Sequence, residues 1–180
     1  MDKIINNKKR VYSNIYNIII GIDPDVDKNG VAIYNATTKK IDLQSLTFPC
    51  LMDFLKDNLQ QQSTTDYIIV IEAGWINKAH WHLTPYDTKQ SAAAKGNSTG
   101  RNHEVGRKIA EMCEHMKLNY KLIKPLQKTI SKFHLWKGKD GKITHEELVK
   151  LVGSDRITSK RSNQEERDAA LIAFSINGYQ

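Results

Sequence analysis

The chain has 180 residues, enough for one domain with a real core, and its net charge of +7 is unevenly spread. Residues 78–139 hold thirteen Lys or Arg against four Asp or Glu, while the remainder is slightly acidic, which favours a polyanionic partner such as nucleic acid over a merely lysine-rich solvated surface. Cys50 and Cys113 are too few for a disulfide framework or a cysteine zinc site, and no apolar run approaches the ~20 residues of a membrane span. A soluble protein of a reducing cytoplasm, with no membrane partner, is the expectation.

Residues 1–14 are polar, with a Lys8-Lys9-Arg10 cluster and no signal-peptide core, and read as a flexible basic arm ahead of a single domain spanning 15–180. Ile18-Ile19-Ile20 with Ile22 forms a strand that can be buried on both faces, so Asp23 stands where the strand leaves the core. Pro24 holds Asp23 extended, and the polar stretch from Asp25 to Gly30 turns the chain into a hairpin strand, Val31 to Tyr34. A carboxylate at such a strand end suits a metal or phosphate site, and equally suits a simple turn cap. A third strand is expected over Ile41 to Phe48. Pro49 then opens a helix over Cys50 to Gln60, in which Leu51, Phe54, Leu55 and Leu59 keep helical spacing.

Tyr67 to Ile71 is a continuous run of strand-forming residues, hence a buried parallel strand, and it ends in Glu72. A second carboxylate thus closes a second core strand. The stretch 77–100, with its low-complexity SAAAKGNSTG, reads as a flexible insertion. His80 and His82, without cysteine or a nearby carboxylate, are a weak zinc signal and read as surface residues. Val105, Ile109, Met112, Cys113 and Met116 define a helix over 102–116. Tyr120 to Ile123 reads as a short strand, Leu126 to Leu135 as a helix, and Thr144 with Glu147 as the capping box of a helix running to Val152. The last helix, Gln164 to Asn177, opens on Glu165, Glu166, Arg167 and Asp168. Three-residue spacing puts Glu165 and Asp168 on one face and Glu166 on another. Acids in a first helical turn also complement the helix dipole, which by itself accounts for their presence.

Asp23 ending the first strand, Glu72 ending the fourth, and Glu165 with Asp168 on the last helix resemble the acidic quartet of the RuvC-like Holliday junction resolvases. The element order is similar to theirs as well. The resemblance implies an α/β, ribonuclease-H-like fold: a five-stranded mixed sheet of three antiparallel then two parallel strands, flanked by helices. It implies Asp23, Glu72, Glu165 and Asp168 as metal ligands, Lys128 as the catalytic lysine, and Trp75 as an aromatic contact to unpaired bases. The family's first turn usually reads GIDPG, and here Asp25 takes the place of the glycine and adds a carboxylate near the site. The final motif is Glu165-Glu166-Arg167-Asp168 in place of the usual D-x-x-D.

Phosphodiester hydrolysis requires a nucleophilic hydroxide at neutral pH and compensation of charge on the scissile and leaving oxygens, which two Mg²⁺ ions about 4 Å apart provide. Magnesium prefers oxygen ligands, so four carboxylates suffice, and Mn²⁺ can substitute. The expected activity is metal-dependent, structure-selective cleavage of four-way DNA junctions by a homodimer, with Lys78, Arg101, Arg107, Lys108, Lys124, Lys128 and Lys132 as candidate DNA contacts. Alternatives are a related nuclease acting on RNA, hybrid or branched DNA, an actin-like kinase, and a non-catalytic junction-binding protein.

Overall fold

The structure is a computed structural model that describes residues 16–76, 86–126, 129–131, 134–135, 137–138 and 142–177. A five-stranded sheet forms its centre: β1 (Ile18–Asp23), β2 (Asn29–Asn35), β3 (Ile41–Leu46), β4 (Tyr67–Glu72) and β5 (Tyr120–Ile123), in the order β3-β2-β1-β4-β5. β1, β2 and β3 pair antiparallel, whereas β4 joins β1 in parallel and β5 joins β4 in parallel. This is the ribonuclease-H-like arrangement that the sequence led us to expect.

Strand side chains alternate between two cores. Ile20, Ile22, Ile69 and Ile71 face α1 (Phe48–Leu59) and the C-terminal half of α2 (Lys89–His115), packing with Leu51, Leu55, Ile109 and Cys113. Ile19, Ile68 and Val70 face the other way, onto α3 (His145–Val152) and α4 (Gln164–Asn177). Helix α1 begins with Pro49 in its first turn and buries Leu51, Leu55 and Leu59, a four-residue repeat along one face. Each such leucine stabilises the fold by about 1.5–3 kcal/mol. Helix α3 has the capping box read from Thr144 and Glu147, with both reciprocal bonds formed.

Two expectations are corrected. Much of the stretch read as an insertion, 77–100, is helix: α2 starts at Lys89, capped by Thr88, whose hydroxyl accepts from the Ser91 amide. Residues 77–85 lie outside the described residues. A Cβ at Gly96 or at Gly100 would meet nothing within 4 Å, and the residues around them are largely exposed and polar, so no apolar stripe marks this stretch as helical. The helix expected over Leu126 to Leu135 is instead a short antiparallel pair, β6 (Thr129–Ser131) and β7 (His134–Leu135). Its centre, Thr129-Ile130, is β-branched, and that chemistry favours strand. Among the described residues no helix is long and apolar enough to cross a membrane.

Candidate active site

The alternation that divides the two cores also aims the acids. Asp23 follows Ile19 and Gly21 in phase, and Glu72 follows Ile68 and Val70, so both carboxylates leave the sheet on the face covered by α4. The parallel β1–β4 register ends at Ile22 opposite Ile71; one further residue brings Asp23 beside Glu72.

Helix α4 reaches this edge because two glycines let it approach. A Cβ at Gly21 would lie 2.2 Å from the Ala169 carbonyl oxygen and 2.7 Å from the Ala173 amide nitrogen. Gly30, paired with Asp23 across β1 and β2, lies under the first turn of α4 in the same way, against Glu165. The strand–helix contact is thus backbone on backbone, and it sets Glu165 and Asp168 over the end of β1.

The acids feel one another. Burial pushes the Asp23 carboxyl well above its ordinary range, and the neighbouring charges of Glu72, Asp168 and Glu165 push it further, against the opposing pull of Lys142. Burial raises Glu72 to about 6, with Asp168 adding to the shift; a bond from the Leu126 amide to its carboxylate, at 3.4 Å, and Lys142 act the other way. Asp168 is raised by burial and by Glu165, and is held down by Lys142 and by a 2.7 Å bond from the Gln164 side chain. Three carboxylates held this way share an electrostatic deficit that a divalent cation would relieve. Among the described residues no group of three Asp, Glu, His or Cys side chains forms a closed ligand set. The donors nonetheless suit the group: all are carboxylate oxygens, the ligands Mg²⁺ prefers.

Glu165 and Glu166 separate as the helix phase requires. Glu166 accepts from the Ser45 hydroxyl at 2.8 Å and from the Asn163 amide at 3.0 Å, while the Asn163 side chain accepts from the Glu166 amide at 2.9 Å. That reciprocal cap ties α4 to β3 and turns Glu166 away from Asp23. Arg167 donates through Nε to the Ile143 carbonyl at 2.8 Å, and through its other nitrogens to the Ser162 carbonyl and the Gln164 side chain. It thereby fastens to α4 the segment that carries Lys142.

Lys142 is a cation of the acidic cluster that sequence reasoning missed. Its ammonium lies 3.6 Å from Asp168 and acts on Asp23, Glu72 and Asp168 alike. Within KGKDGK nothing distinguishes it from its neighbours; only the buried Ile143 beside it and the Thr144 cap hint that the chain is anchored there. Lys128, the lysine expected in this role, lies outside the described residues, as do Lys78 and Lys132.

The Asp25 carboxylate is engaged by the Asn102 side chain at 3.0 Å and by the Asp27 amide at 2.9 Å, so it braces the turn that follows β1. Trp75 is half-buried, with its ring against Gly106 and the Arg107 guanidinium 5.7 Å above it. Of the remaining basic candidates, Arg101, Arg107 and Lys108 are exposed on α2 and Lys124 is exposed after β5. Glu104 partners Arg107 at 3.7 Å, and Glu111 partners Lys108 at 2.7 Å.

No protein-family model matches the chain, and neither does any curated protein. Among solved structures it is similar to T. thermophilus RuvC in complex with a Holliday junction substrate. The two are 12% identical with a TM-score of 0.46, over 91% of this chain and 98% of that one.

Proposed function

We propose that the protein is a metal-dependent DNA endonuclease that cuts four-way junctions as a homodimer. The observation that carries this reading is the joining of Asp23, Glu72 and Asp168, with Glu165, into one electrostatic cluster at the end of two parallel core strands. Among the described residues the cluster offers carboxylate oxygens as ligands and the Lys142 ammonium as a cation at its rim, and phosphodiester hydrolysis uses that combination.

Asp23, Glu72, Asp168 and Glu165 would hold the cations, with Asp23 central because its pKa is raised by each of the other three. Two Mg²⁺ or Mn²⁺ ions bound there would supply a nucleophilic hydroxide at neutral pH and neutralise charge on the scissile and leaving oxygens. Gln164 orients Asp168 by its hydrogen bond. Lys142 places a positive charge beside the reacting phosphate and takes the role that the resemblance assigned to Lys128. Arg101, Arg107, Lys108 and Lys124 would contact phosphates, which fixes the register of the substrate and carries no base information. Trp75 sits two residues beyond Ala73 on the same edge, where an aromatic face could meet an unpaired base.

The deciding experiment incubates the protein with labelled four-way junction, flap, nicked duplex and RNA–DNA hybrid, with and without Mg²⁺. Mg²⁺-dependent symmetrical nicking of the junction in preference to the others supports the proposal. Preference for the hybrid would make the protein a ribonuclease, and tight junction binding without cutting would make it a binder.

A further inference from the structure

The turn that follows β1 is clasped by a side chain from α2. Asn102 accepts from the Val26 amide through Oδ1 at 3.1 Å and donates through Nδ2 to the Asp25 carboxylate at 3.0 Å. On the inner side, the fully buried Asn29 accepts from the Asp25 amide at 3.2 Å and donates to the Leu46 carbonyl at 3.1 Å. The turn is thus tied to β3 through Asn29 and to α2 through Asn102. Between Asp25 and Asp23 stands only Pro24, whose ring fixes φ, so a displacement of Asp25 passes to Asp23 with little slack.

The same face of α2 reaches the neighbouring acid's loop. One helical turn beyond Asn102, a Cβ at Gly106 would lie 2.5 Å from the Trp75 ring and 3.2 Å from Pro24 Cγ. Gly106 is therefore the surface on which both the turn after Asp23 and the segment after Glu72 rest. Asn102 adds the directional bonds that the packing lacks. It also stands where the largely exposed N-terminal half of α2 meets the buried stretch beginning at Gly106.

We propose that Asn102 is a positioning residue for Asp23: through its paired bonds to Asp25 and Val26 it sets where the Asp23 carboxylate lies. The inference rests on the nuclease reading for its catalytic consequence, but metal affinity reports on it separately. Asp25 is what gives Asn102 a carboxylate to hold.

The test compares wild type, Asn102→Ala, Asn102→Asp and the exchange Asp25→Asn/Asn102→Asp. Four quantities are read: single-turnover junction cleavage in Mg²⁺, Mn²⁺ affinity by calorimetry, metal-free junction affinity by fluorescence anisotropy, and thermal unfolding. Asn102→Asp is isosteric and keeps the bond from Val26, but sets two carboxylates face to face. The exchange re-forms the bond between the two side chains with donor and acceptor reversed, keeps the bond donated by the Val26 amide to position 102, and leaves net charge unchanged. Both single variants should lose roughly 10- to 100-fold in cleavage, the loss that a misplacement on the order of 1 Å causes, with weaker Mn²⁺ binding and junction affinity within a few-fold. The exchange should return cleavage and Mn²⁺ affinity to within about threefold of wild type, since the pair couples directly. Folded single variants with wild-type cleavage and Mn²⁺ affinity, or an exchange variant as impaired as Asn102→Asp, would overturn the proposal. If wild type binds Mn²⁺ but cuts no junction, the nuclease reading falls, and the Mn²⁺ affinities of the same four proteins decide the positioning role by the same criteria.

Discussion

Gly30 and Glu165 are in backbone contact: a Cβ added at Gly30 would fall 2.0 Å from the Glu165 carbonyl oxygen and 2.2 Å from its carbonyl carbon. Because Gly30 is the cross-strand partner of Asp23, this contact places the first turn of the last helix over the first acid. Gly30→Ala must push strand and helix apart, since neither atom belongs to a flexible side chain. We expect a stability loss of about 1–3 kcal/mol by urea unfolding and a fall in cleavage beyond what the unfolded fraction explains. A variant of normal stability and activity would show that the helix does not need this approach.

Asp23→Asn should abolish cleavage and leave junction affinity within a few-fold, because it removes a ligand without touching the basic residues of α2. Affinity is measured by anisotropy without metal and cleavage by gel. Near-normal cutting by this variant would remove Asp23 from the centre of the site.

The two glutamates at the start of α4 should differ in kind. Glu165→Gln is expected to slow single-turnover cleavage by orders of magnitude with little change in stability. Glu166→Gln weakens the cap shared with Asn163 and Ser45, so it should cost about 1 kcal/mol of stability and little in rate. A larger rate defect in Glu166→Gln would place the wrong glutamate at the site.

Metal-free stability should fall as pH rises. Glu72 is raised from 4.5 to about 6, and Asp23 and Asp168 are raised as well. Between the unfolded and folded values the native protein keeps a proton that the unfolded chain has released, so this contribution is fully present below about 4.5 and is lost as pH rises through about 6. Urea midpoints from about pH 5 to about pH 8 should show the fall, and added Mg²⁺ should stabilise most at the upper end, where it does not compete with protons. A metal-free protein that gains stability across that window would contradict the crowding of the acids.

Lys142→Met keeps the side-chain length and removes the charge. Cleavage should drop by about 10²-fold or more, as for loss of one group that stabilises developing charge, with junction affinity changed a few-fold at most. The same measurement on Lys128→Met separates the two lysines: a larger defect there would return the role to the residue that the resemblance indicated.

Local chemistry made much of this protein legible from its sequence. Strands β1 and β4 are continuous apolar runs with an acid at the end, and a buried strand needs that composition whatever surrounds it. The phase of α4 likewise follows from a rotation of ~100° per residue, so the separation of Glu165 from Glu166 could be read before any contact was known. Where local signals were weak, the reading failed. The N-terminal half of α2 is largely exposed and polar and so carries no apolar stripe, and the short β6–β7 pair has too few residues for its period to show.

Strand-end position and helix phase determined, from sequence alone, which acids could meet. The tertiary structure alone decided what meets them. Lys142, Asn102 and Gly30 are far in sequence from the side chains they serve, and no local preference marks them, because an ammonium, an amide and a missing Cβ acquire their roles only from what folding brings alongside. Lys142 was one lysine among several in KGKDGK until Arg167 fastened Ile143 to α4 and left the neighbouring ammonium 3.6 Å from Asp168.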